Sequence, residues 1–396
     1  MANVILSTLG TGGDVYPFLS LGIQLRARGH RVTLVTNAIY ADAAQHAGIG
    51  FAPIDNRSDA DEMIRDGQLL NNSFGLMLFF HRHILPRIVP EIEAIRALWR
   101  CGETVLVARV MPCIGAATAA EMLKIPLIGV ALAPAHINGL SVFIELLNSS
   151  LGAEINSLRI KHGLNRVDNW DAWFKFARIL GFWPEWFAED RDYSPASLRT
   201  VGFLPAGEIV GSECDSLNVG LLRKSEMHPP ILISCGTGYF GVPNFIRLAV
   251  EGCYAAGCKP VVVCRTTDLI PQDLPPDTVI LNHVHSLPHL MRHMAAVCHH
   301  GGMGIISDAI FAGIPQIVIA SGGDRPDNAR RLSPLGVACC ISPQAATREA
   351  VSKAIRAVVS SSSIHSKCRS LSSKMDTLAV LRESCEIVDG VVSEIL

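Results

Sequence analysis

The chain has 396 residues, 49% of them hydrophobic, and a formal net charge of −2. That length exceeds one ordinary core, so two domains of roughly 200 residues are expected, and a near-neutral charge without a Lys/Arg block leaves no electrostatic footprint for nucleic acid. No apolar run approaches the roughly 18 residues of a membrane span, and the N-terminus lacks the basic flank and apolar core of a signal peptide, so a cytoplasmic protein is expected.

The first half opens with Val4-Ile5-Leu6-Ser7-Thr8-Leu9, a buried-strand pattern, then Gly10-Thr11-Gly12-Gly13-Asp14 and a helix from near Pro17 to Arg28. Gly29-His30 ends that helix, and Arg31 to Thr36 reads as the next strand. This β-turn-α-β order signals a doubly wound parallel sheet, whose ligands sit at the carboxyl ends of strands. Val15 occupies the place of the third glycine of a dinucleotide fingerprint, and no P-loop lysine follows, so a nicotinamide cofactor and triphosphate hydrolysis are both disfavoured. Similar units recur at Thr104 to Val110, before a helix at Ile114 to Leu123, and at Ile125 to Ala131. Two aromatic segments, Leu69 to Leu98 and Trp170 to Phe187, interrupt the pattern. Such stripes are usually core, although aromatic insertions beside a cleft also hold apolar ligands.

After a loop-rich stretch from Pro205 to Pro230, the same grammar restarts with a strand at Ile231 to Cys235 and a turn at Gly236-Thr237-Gly238. Further strands are expected at Val261 to Cys264, Val279 to Leu281, Val297 to His299 and Gln316 to Ala320. Serine-rich Ser360 to Ser373 reads as a surface turn and helix. The expectation is an α/β protein of two Rossmann-like, doubly wound parallel-sheet domains facing a central cleft. They span residues 1–215 and 216–375, and a C-terminal helix at 376–396 packs back on the first.

His299-His300-Gly301-Gly302-Met303-Gly304 lies between a strand and a helix at Ile305 to Ala312. Unpaired N–H groups and the dipole at a helix N-terminus favour an anion, and glycines let it come close. A glycine cluster alone equally makes a tight turn; the two histidines and the later Asp324 favour binding. The twelve cysteines contain no Cys-x-x-Cys pair and read as reduced, mostly buried residues. His283, His285, His289, His293, His299 and His300 lack zinc-ligand spacing, so no metal is expected.

His299 to Gly304, Ala312-Gly313-Ile314-Pro315-Gln316 and Asp324-Arg325-Pro326-Asp327-Asn328-Ala329 together resemble the nucleotide-diphosphate-sugar motif of the UGT-like family 1 glycosyltransferases of the GT-B fold. The resemblance runs over essentially the whole chain. Gly10-Thr11-Gly12-Gly13-Asp14-Val15-Tyr16-Pro17-Phe18 is similar to the opening of sterol, vancomycin-group and rhamnolipid transferases, in which an aspartate stands where plant enzymes place a catalytic histidine. Asn72-Ser73-Phe74-Gly75 and Pro184-Glu185-Trp186-Phe187-Ala188 also resemble the rhamnolipid enzymes.

The resemblance implies inverting, metal-independent transfer from a UDP- or dTDP-sugar to a hydroxyl of a small apolar or amphipathic acceptor, such as a lipid, polyketide or terpenoid. Asp14 becomes the general base, although it suits a helix cap equally well. The diphosphate falls to Thr237, His299, Gly301, Gly302 and Gly304, with His300 at a variable position, and Thr11, Gly12, Gly13, Gly236 and Met303 join them in binding the donor. Val284, beside His285, replaces the usual aromatic under the nucleobase, Ser307 or Asp308 falls near the ribose, and Asp324 meets the sugar hydroxyls. Arg325 stands where glutamine is common and brings only donors and a permanent charge, so it suits a different hydroxyl pattern, a sugar acid or the diphosphate. Phe74, Phe79, Phe80, His136 and Trp183 are the acceptor candidates. No cofactor and no nucleic acid partner is expected, while peripheral membrane association and a homodimer stay open. A nucleotide-sugar 2-epimerase would need more acids around the cleft, and a catalytically silent helper would not need Asp14, His299 and Asp324 together.

Overall fold

The computed structural model describes residues 1–189, 192–205, 228–238, 242–282, 284 and 286–395. The predicted loop at Pro205 to Pro230 falls mostly outside these residues, as do His283 and His285. The first sheet comprises β1 (Asn3–Ser7), β2 (Arg31–Thr36), β3 (Gly50–Pro53), β4 (Thr104–Arg109), β5 (Leu127–Ala131), β6 (Arg178–Gly181) and β7 (Leu198–Thr200). The second comprises β8 (Pro230–Ser234), β9 (Lys259–Val263), β10 (Val279–Leu281), β11 (Ala296–His299), β12 (Gln316–Ile319) and β13 (Ala338–Ile341). Their orders are 3-2-1-4-5-6-7 and 10-9-8-11-12-13, and every pairing is parallel. Helices cover both faces, so inner strands such as β1 and β8 are buried throughout and read as unbroken apolar runs.

Strand order reverses between β1 and β4 in the first lobe and between β8 and β11 in the second. Loops leaving these neighbours diverge to opposite faces and open a crevice between them. The glycine turn after β1 and the end of β4 thus border one crevice. The turn after β8 and the glycine run after β11 border the other.

Helix α1 (Gly12–Ala27) begins at Thr11, and Asp14 sits at its third position, where the two side chains form a reciprocal capping box. Farther along the first lobe lie α2 (Ser73–Phe79), α3 (Leu85–Leu98), α4 (Ile114–Leu123) and α5 (Pro134–Asn138). The second lobe contributes α6 (Met303–Ala312) and α7 (Arg325–Leu332). The chain then returns: α8 (Thr377–Ser393) leaves the second lobe and lays Val380, Leu381, Cys385, Val388, Val391 and Val392 into the core built around α1 and β1. Asp389 pins it there, at 2.8 Å from Arg28 Nη1 and 2.7 Å from His30 Nε2.

The lobes share an apolar seam in which Val110, Ala131, Trp183 and Phe187 meet Ile306, Ile310, Ala329 and Leu332. At its edge the buried Arg331 of α7 donates to Phe187 O at 3.3 Å and pairs with both Asp192 oxygens at 2.5 and 2.6 Å. Among the described residues no helix is long and apolar enough to cross a membrane.

Candidate functional site

The turn after β1 is shaped by glycine and carboxylate together. Gly10 has φ +135°, a conformation open to glycine, and any Cβ there would collide with the Asp14 carboxylate. Its N–H donates to Asn37 Oδ1 at 2.9 Å, and Asn37 in turn holds Asp55, which accepts from Arg87 Nε at 2.9 Å. This buried relay fixes the loop from beneath. Asp14 Oδ2 accepts from Thr11 N–H at 2.8 Å and from the Thr11 hydroxyl at 3.1 Å, while Oδ1 lies 3.1 Å from Arg109 Nη1. Arg109 ends β4, the strand beside β1, so the ion pair stands at the crevice of the first lobe.

In the second lobe the glycine run after β11 leads into α6. Gly301 has φ +89°, and its turn brings His299 and His300 to opposite duties. Gly301 N–H donates to His299 Nδ1 at 3.1 Å, so the ring proton resides on Nε2, 3.0 Å from Gln316 Oε1. Burial pushes the His299 pKa down to about 4, and the ring is fully buried. His299 therefore supports the loop from inside and does not face the cleft, a correction to its expected phosphate contact. His300, expected at a variable position, lines the cradle instead. A Cβ on Gly302 would lie 2.6 Å from its Nε2, and one on Gly236 2.7 Å from its Cε1. Burial first, then the charges of Arg325 and His299, takes its pKa down to about 3.

The two lobes meet at these loops. Gly12 N–H donates to Thr237 Oγ1 at 2.9 Å, and a Cβ on Gly304 would lie 3.9 Å from Gly13 Cα. Arg265, just after β9, donates to the Tyr16 hydroxyl at 3.2 Å, and Tyr40 donates to Gly10 O at 3.2 Å. Asp324 immediately precedes α7 and accepts from Asn328 Nδ2 at 2.8 Å, while the same amide donates to Gly301 O at 3.1 Å. His136, on α5, accepts the Leu132 N–H at Nδ1, 3.2 Å away. Burial and then the Arg109 charge lower its pKa, while Asp324 and Asp14 raise it. Asp14, Arg109 and His136 from one lobe thus share one electrostatic environment with Asp324 from the other. Thr11, Gly12, Gly13, Gly236, Thr237, Gly302, Met303 and Gly304 border the same cleft.

Other expected site residues lie elsewhere. Phe80 is a core residue packed on Phe143, with ring centroids 5.6 Å apart, and Trp183 is sealed in the seam between lobes. Both are corrections: the apolar stripes containing them close cores rather than line an acceptor pocket. Phe74 is 81% exposed at the start of α2, and Phe79 is half-buried against His83. Val284 packs on the apolar cluster of Leu232, Val261 and Met291. The Ser307 hydroxyl is buried within α6 and finds no hydrogen-bond partner among the described residues. Arg109, Tyr40, Arg265 and Asn328 escaped the sequence reading. Arg109 had a usable signal, since a doubly wound sheet sets the end of β4 beside the turn after β1.

The chemistry available is that of an anion cradle opposite a carboxylate. The free N–H groups in the first turn of α6 suit a diphosphate, and Asp324 and Asp14 can accept from hydroxyls. Residues 4–128 match the glycosyltransferase family 28 N-terminal domain, and residues 264–389 match the erythromycin biosynthesis protein CIII-like C-terminal domain. The glycosyltransferase GtfE of Amycolatopsis orientalis is 26% identical over 378 residues, covering 89% of each chain. The vancomycin aglycone glucosyltransferase of the same organism is 24% identical, covering 85% of this chain and 84% of its own. Among solved structures, the glycotransferase of kitacinnamycin superposes with a TM-score of 0.77 at 19% identity, covering 99% of each chain. The spinosyn rhamnosyltransferase SpnG, solved with thymidine diphosphate, gives 0.71 at 19% identity, covering 97% of this chain and 100% of its own.

Proposed function

The chain belongs to the GT-B glycosyltransferases of the antibiotic and natural-product type, which use nucleoside-diphosphate sugars, and from that premise we propose an inverting transfer to the hydroxyl of a small apolar acceptor with Asp14 as general base. The observation that carries this reading is the convergence of Asp14 and Arg109 from one lobe with Asp324 from the other, across loops joined by the Gly12–Thr237 hydrogen bond. The acceptor oxygen attacks the anomeric carbon from the Asp14 side while the nucleoside diphosphate leaves toward the glycine run and α6. Each carboxylate oxygen can accept more than one hydrogen bond, so Oδ1 of Asp14 keeps capacity for a hydroxyl proton beside Arg109. Its side chain is 24% exposed, which leaves it reachable.

Backbone amides and the helix dipole supply the stabilisation of the leaving diphosphate, with no metal in the scheme. UDP and dTDP are the candidate nucleotides, and the thymidine diphosphate held by SpnG supports the second. Asp14→Asn keeps an oxygen for the Thr11 N–H but is no longer a base. Turnover falls by about 10²- to 10⁴-fold, measured by mass spectrometry with a donor and acceptor panel, while nucleotide affinity by calorimetry stays within about twofold. Unchanged turnover would remove Asp14 from the mechanism.

A further inference from the structure

Two arginines stand at the cleft and are tied down differently. Arg325 belongs to the loop that leads into α7, where its Nε donates to Gly322 O at 2.8 Å. Arg109 belongs to the glycine turn of the first lobe. It is the last residue of β4, one place beyond the Ser7–Ala108 pair, so the parallel register sets it beside the chain leaving β1. Its Nη1 donates to Leu9 O at 2.9 Å and lies 3.1 Å from Asp14 Oδ1, so one nitrogen ties the carboxylate to the stem of its own loop. The buried Nε meets no acceptor among the described residues, so the hydrogen bonds that hold the turn run through Nη1.

The two oxygens of Asp14 are therefore held by different groups. Oδ2 takes both bonds from Thr11, at 2.8 and 3.1 Å, and that closes the capping box without Oδ1. A carboxyl held at one oxygen still turns about its Cβ–Cγ bond, because this torsion has a broad energy profile. A contact at the second oxygen fixes the plane, and Arg109 supplies it. The side chains of Arg109 and Asp14 are 14% and 24% exposed, so salt screens the pair only weakly. A base must present a lone pair within about 2.6–3.2 Å of the proton it takes, so the plane of the carboxyl decides whether Asp14 reaches a bound hydroxyl.

We propose that Arg109 is a positioning residue for the transfer: it fixes the carboxyl plane of Asp14 so that a free lone pair of Oδ1 is presented to the acceptor hydroxyl. This rests on the reading of Asp14 as general base given above. The acceptor oxygen forms the new bond to the anomeric carbon, its proton passes to Oδ1, and the electron pair of the breaking bond leaves with the diphosphate. Arg109 neither gives nor takes a proton in this step.

The test is a double-mutant cycle on turnover, followed by mass spectrometry with UDP- and dTDP-sugars and a panel of hydroxylated polyketides, terpenoids and lipids, with affinity for UDP and dTDP measured in parallel by calorimetry. Arg109→Met lowers kcat by about 10- to 10²-fold, the scale of a reacting group displaced by about 1 Å, and leaves nucleotide affinity within about twofold. In the Asp14→Asn background, where no base remains to be oriented, the same substitution costs less than about twofold more. Arg109→Lys restores most of the turnover, because an ammonium gathers three donors on one atom and both partners of Arg109 are held by one nitrogen. Equal losses in the two backgrounds overturn the proposal, as does wild-type turnover in Arg109→Met. Should Arg109→Met fail to fold by circular dichroism, Arg109→Lys decides: a folded Arg109→Lys protein as slow as Asp14→Asn overturns it. Wild-type turnover in Asp14→Asn, or no transfer by the wild-type protein across the panel, sinks the reading of the cleft itself, and this inference with it.

Discussion

Glu91, on α3, shows how a single buried carboxyl can set the response of the fold to pH. The Ser7 hydroxyl donates to it at 2.5 Å, yet burial outweighs this bond and the one from Ala116 N–H, pushing the pKa from 4.5 to about 7. Between those values the folded protein holds a proton that the unfolded chain has released, so this group's stabilisation is complete below about pH 4.5 and is lost as pH rises through 7. His299 and His300 act in the opposite sense. Their pKa values fall from 6.5 to about 4 and about 3, so their contribution is complete above 6.5 and lost as pH falls. Glu91→Gln should therefore remove a declining component of about 3 kcal/mol between the two limits, visible as a flatter denaturation midpoint from pH 5 to 7.5. Parallel profiles for the two proteins would show that Glu91 carries no such load.

Helix α7 acts as a strut between lobes: its N-terminus follows Asp324 and its far end carries Arg331, which grips Asp192 and Phe187 O. Removing one partner of a buried pair leaves the other charge stranded, a loss of about 3–5 kcal/mol. Because Asp192 and Asp327, whose Oδ2 accepts from Arg331 Nε at 2.7 Å, are partly open to solvent, Arg331→Met should sit at the low end, about 3 kcal/mol by urea denaturation, and Asp192→Asn added to it should cost little more. A loss below about 1 kcal/mol would class the pair with surface bridges. Elements of this kind were unevenly legible in sequence. The helix at Ile114–Leu123 and the strand at Val279–Leu281 coincide with their predicted bounds, and β1, β2, β8, β11 and β12 fall within a residue or two of theirs, because long apolar runs ending in glycine turns leave few alternatives. The strands β3, β6, β7 and β13 were missed. Each has three or four residues, and β3, β7 and β13 lie at sheet edges, where burial on one side leaves no continuous apolar signal. At the site, the glycine turns and Asp324 were readable from local motif. The exchange of duties between His299 and His300 was not, because it depends on Gln316, a strand away.

At the scale of the whole molecule, the two lobes are joined by more than one linker, since α8 closes the core of the first lobe from the far end of the chain. Six apolar side chains at about 1.5–3 kcal/mol each amount to about 9–18 kcal/mol, comparable with the entire stability of an ordinary domain. A protein truncated after Asp376 should accordingly be insoluble or lack a cooperative thermal transition, whereas Asp389→Ala, which removes only the pins to Arg28 and His30, should melt a few degrees lower. A truncated form with the full-length transition would mean that α8 merely rests on the surface. The same return path orders events at the ribosome. The strands of the first lobe must wait, with the α1 groove uncovered, until α8 has followed the second lobe out, so this core closes only after its neighbour's strands have emerged.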